Sequence, residues 1–187
     1  MQHVALSIFD KELCLPFFDR LTELFHEHHH SEEQDPDEYE SLLYRVSRPY
    51  TPEMLDMIDG WMGLEDRAWR AETQREVLLS LYAIRYPDTL LIESLTDKAR
   101  SDIRRLSAYL HFTHHTYSIW DDDTRKGLGK LGIDIPEMKE ADPFIYGAYV
   151  SSIELLKDVA PFTCFLEHAV PRQRLFQSAL AAYGRES

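Results

Sequence analysis

Asp19, Glu23, His26 and His30 follow one another at spacings of four, three and four in DRLTELFHEHHH, so two carboxylates and two imidazoles share one stripe of a helix. These are ligand types at ligand spacing. Glu23 with His26 makes the Glu-x-x-His pair that carboxylate-bridged bundles use to hold zinc or iron, and Glu27 with His30 repeats it. The opposing reading comes from the same helix. Phe17, Leu21, Leu24 and Phe25 occupy the nearly opposite face, so the ligand stripe points away from the core, where a bundle metal centre has no enclosure. A second cluster, HFTHHT, sets His111 and His115 one turn apart on the outer side of their helix, with His114 at its flank. No metal and no cofactor is expected, and Glu23, His26, His30, His111 and His115 are the residues that would carry one.

Other chemical motifs fail on context. Gly127, Gly129 and Gly132 match GxGxxG by letter, but no strand precedes them and they run into Ile133-Asp134-Ile135-Pro136, which makes a turn rather than a pyrophosphate cradle. The run DDDTRKG has Lys126 where a calcium loop needs glycine and Gly132 where it needs glutamate. There is no GxSxG. Cys14 and Cys164 form no CxxC pair, so a disulfide scaffold and a cysteine zinc site are excluded on count.

The charge is a better guide. Of the net −13, the first 60 residues hold −10, four bases against fourteen acids, while residues 61–130 balance and residues 131–187 carry −3. Such a field repels phosphate backbones and anionic membrane and attracts a basic protein surface. Arg100, Arg104 and Arg105 beside Tyr109 make a small basic patch at most, with Asp97 and Asp102 close enough in sequence to pair with it. The acids concentrate in SEEQDPDEYE. Glu32, Glu33, Asp35, Asp37, Glu38 and Glu40, with Tyr39 and Tyr44 for contact area, have the composition of a surface that docks on a basic partner. A solvated loop followed by acids favoured at a helix start explains the same residues without a partner.

The elements that must position these residues read as helices. Ala99, Ile103, Leu106, Leu110, Thr113, Tyr117 and Trp120 alternate spacings of four and three, which predicts a central helix over 97–120. Further helices are predicted from Pro16 to about His30, with Phe17, Phe18, Leu21, Leu24, Phe25 and His28 inward, from Pro36 with Asp35 as cap, and from Pro52 after Thr51. Others are predicted over Leu64–Tyr86 with Trp69 and Tyr82 inward, in TLLIESL, from Pro143 with Phe144 inward, and from Pro161 and Pro171, with Gly184 as the final stop. The best strand candidate, Leu131–Ile135, ends at Pro136. The expected fold is therefore all-α, one irregular bundle of about seven to nine helices over residues 1–187. No apolar run approaches the roughly 20 residues that span a bilayer, and the first residues, MQHVALSIFDKELC, lack a basic leader and a long apolar segment, so a cytoplasmic location is expected. The function expected is non-enzymatic: an acidic helical protein that binds and inhibits a basic partner protein, of toxin-neutralising, immunity or other inhibitor type, with no nucleic acid and no membrane partner. Two other readings stand beside it, a histidine and carboxylate metal enzyme of bundle type, and a helical ligand sensor whose pocket Trp61, Trp69 and Trp120 would wall.

Overall fold

Proline and aspartate set most of the helix starts. In the computed structural model, which describes residues 11–31, 36–46, 50–64, 67, 69–83, 92–95, 102–138, 141–161 and 170–186, the first residues of three helices are Pro36, Pro52 and Pro143. Proline's fixed φ suits that position, where its missing N–H costs nothing. The helices are α1 Lys11–Asp19, α2 Leu21–Ser31, α3 Pro36–Arg45, α4 Pro52–Trp61, α5 Ala71–Ala83, α6 Ile103–Thr113, α7 Asp122–Lys130, α8 Pro143–Val159 and α9 Arg172–Arg185. Residues 92–95 are also helical, and no strand occurs among the described residues. The chain is all-α. No described helix is long and apolar enough to cross a membrane.

The central helix is shorter than its stripe. α6 ends at Thr113, His114 turns into extended backbone (φ −150°), and residues 114–120 run back beside the helix. Two bonds hold the return. The Trp120 N–H donates to Ser107 Oγ at 2.7 Å, and His111 Nδ1 meets the Tyr117 carbonyl at 2.7 Å. Tyr117, Ile119 and Trp120 are thus buried by the doubling back of the chain and not by helical periodicity. The start expected at residues 97–101 lies outside the described residues, where Asp102 caps α6 by accepting from the Arg105 N–H at 3.1 Å. The triple acid then opens the next helix: Asp121 Oδ2 accepts from both the N–H and the hydroxyl of Thr124, each at 2.7 Å, with Asp122 and Asp123 in the first turn, where the helix dipole favours them.

The described chain gathers into two compact units. One holds residues 33–120 and 138–147. In it α3 packs on α4, and α4 and α5 pack on α6, around Leu42, Leu55, Ile58, Val77, Leu81, Leu106 and Leu110. Asp142 Oδ1 caps α8 by accepting from the N–H groups of Phe144 and Ile145, at 2.8 and 3.1 Å. Tyr146, not Phe144, faces inward, and its hydroxyl donates to the Ser118 carbonyl at 2.8 Å. Phe144 is 74 % exposed, and on α5 the expected inward residue Tyr82 is 60 % exposed. α5 begins at Ala71 rather than near Leu64.

The other unit holds residues 1–32, 121–137 and 148–187. Pro16 lies inside α1, and the break comes at Arg20, after which α2 buries Leu21, Leu24, Phe25 and His28 at spacings of three, one and three. α9 packs on α7 and α2 and buries every residue from Gln173 to Ala182, as a helix surrounded by its own fold must. Its approach to α7 depends on glycine. A Cβ on Gly127 would lie 2.2 Å from the Leu180 carbonyl oxygen, and one on Gly184 would lie 1.9 Å from that of Asp123. Gly184 is therefore a packing position within α9 and not its stop. Lys130 serves the end of that helix instead, donating to the carbonyls of Tyr183 and Glu186 at 2.7 and 2.6 Å. Between α7 and Glu137, Leu131, Ile133 and Ile135 are buried in alternation with exposed neighbours, a strand-like pattern without a strand partner among the described residues.

Candidate functional site

α3 carries what is described of the acidic segment. Its Tyr39, Leu42 and Val46 are spaced three and four, which gives the helix a buried stripe and turns the acids outward. Glu32, Glu33 and Asp35 lie outside the described residues, and Asp37 is described by its backbone alone. Glu38, Glu40 and Tyr44 are exposed, Tyr44 by 91 %. Tyr39 is the correction. Only 4 % exposed, it offers no contact area and belongs to the core, because it falls on the apolar stripe one residue from Glu38 and Glu40.

The Tyr39 hydroxyl lies 2.7 Å from Nε2 of His111, which is 0 % exposed. His111 is a second correction, since the periodicity placed it on the outer side of its helix. Both of its nitrogens are engaged, Nε2 by Tyr39 and Nδ1 by the Tyr117 carbonyl, so no lone pair is left for a metal. His115 is exposed and donates from Nδ1 to the carbonyl of His111 at 2.9 Å. Glu23 and His26 are exposed on α2, and His30 is described by its backbone alone. Among the described residues no three His, Cys, Asp or Glu side chains gather as a ligand set.

Protein-family models, curated proteins and solved structures give no match to this chain.

A buried charge network went unread in the sequence. Asp59 on α4 is 6 % exposed; its Oδ1 accepts from the Tyr109 hydroxyl at 2.6 Å and lies 3.1 Å from Arg105 Nε, and its Oδ2 pairs with Arg67. Arg67 also reaches Asp56 and donates to the Tyr109 oxygen at 3.2 Å. Burial, then the hydrogen bond and charge of Asp59, hold the Tyr109 phenol well above its usual pKa. With both oxygens committed, this carboxylate anchors α4, α6 and the residues after α4 and is not placed to move a proton to a ligand. One signal for it exists in the sequence: Asp59 sits on the stripe of Leu55 and Met62, and a carboxylate on an apolar stripe requires a partner.

The tryptophans have separate settings. Trp61 is packed edge-on to Phe112 (5.3 Å, 85°) and against Tyr39 (5.5 Å), while Trp69 meets Tyr109 (6.2 Å) and the Arg67 guanidinium (5.8 Å), and Trp120 is buried. Trp61 also borders an open groove of about 460 Å³ between α3 and α4.

Proposed function

We propose that this is a non-enzymatic acidic protein that binds a basic partner protein and blocks it, as toxin-neutralising, immunity and other inhibitor proteins do, and that α3 is its docking face. The observation that carries the reading is Tyr44. A tyrosine 91 % exposed on the helix that also exposes Glu38 and Glu40 has no role in the fold that its surroundings reveal, and an exposed aromatic one turn from Glu40 suits a basic surface. Charge speeds encounter and the ring holds the complex. The opposite side of α3 is fixed by Leu42 and by the Tyr39–His111 bond, so the face is ordered before it binds and little is lost in ordering it.

The test compares immobilised wild type with the triple variant Glu38→Gln/Glu40→Gln/Tyr44→Ala in native lysate. A basic protein is expected to be retained by wild type, to elute as salt is raised, and to be retained at least about tenfold less by the variant. Equal retention by both would remove α3 from the reading.

A further inference from the structure

We draw no further inference here: the strongest candidate, the exposed patch of Leu79 and Tyr82 on the outer face of α5 with Tyr50 edge-on to the Tyr82 ring at 6.2 Å, is an unpartnered apolar face, and nothing among the described residues shows what covers it.

Discussion

The hydroxyl of Tyr39 on α3 and Nε2 of His111 on α6 lie 2.7 Å apart, both inside the core, and this bond ties the acidic helix to the helix beneath it. The carbonyl of Tyr117 facing Nδ1 can only accept, so Nδ1 carries the proton and Tyr39 meets Nε2 as the donor to that tautomer. Tyr39→Phe leaves a buried nitrogen without this donor and is expected to cost about 1–3 kcal/mol in urea unfolding. Nitrogen chemical shifts of His111 should show the proton on Nδ1. A variant as stable as wild type, or a proton on Nε2, would break this account.

The Asp59 network predicts an order of damage. Tyr109→Phe removes one hydrogen bond to the carboxylate and is expected to cost about 1–3 kcal/mol. Asp59→Asn leaves the Arg67 and Arg105 guanidinium groups close to one another with no neutralising charge at Asp59, and removing one side of a buried pair costs about 3–5 kcal/mol. Urea unfolding of the two variants should therefore place Asp59→Asn below Tyr109→Phe. The reverse order would mean that the phenol, and not the carboxylate, holds the cluster together.

Alkaline pH should weaken the fold through its buried phenols. Tyr109 and Tyr149 are both raised above the ordinary value of about 10, first by burial and then by a carboxylate, Asp59 for one and Asp121 for the other. The unfolded chain releases these protons near pH 10 while the folded chain keeps them, so stability is intact below pH 10 and falls as the pH rises beyond it. Of the ten tyrosines, at least two should develop phenolate absorbance only as circular dichroism reports unfolding, and one fewer in Tyr109→Phe. Reversible ionisation of all ten in the folded protein would contradict it.

These features differ in how far they could be read beforehand, and the difference is physical. Pro36, Pro52 and Pro143 announce helix starts because the constraint is local, carried by one ring and one missing donor. The stripe ending at Trp120 misleads because burial alone satisfies it: Tyr117 and Trp120 keep helical spacing by number while the chain between them and Thr113 doubles back. Leu131, Ile133 and Ile135 mislead less, since alternation without a pairing edge gives a buried loop as readily as a strand. Tyr39 and His111 are 72 positions apart, and Asp59 and Tyr109 are 50 apart, so the local spacing can turn Tyr39 and Asp59 inward but cannot name the partner that either one meets. On α3, the outward acids were legible from composition, and the inward tyrosine among them only from the spacing of Leu42 and Val46.

The glycines of α7 and α9 give a test in which sign, and not only size, is at stake. Gly127 and Gly184 face each other across the two helices. A Cβ on Gly184 would come 1.9 Å from the Asp123 carbonyl oxygen and 2.9 Å from the Gly127 nitrogen, and one on Gly127 would come 2.2 Å from the Leu180 oxygen. These neighbours are backbone, which cannot rotate aside, so Gly127→Ala and Gly184→Ala must push the helices apart and are expected to cost about 1–3 kcal/mol or more each. Gly129, two residues along α7, meets no described atom within 4 Å of its would-be Cβ, and Gly129→Ala is expected to stabilise by about 0.5–1 kcal/mol through the better helix former. Urea midpoints should thus rise for one substitution and fall for the other two within the same pair of helices. If Gly184→Ala is as stable as wild type, α9 does not approach α7 closely enough for glycine to matter, and the packing of that unit must be redrawn.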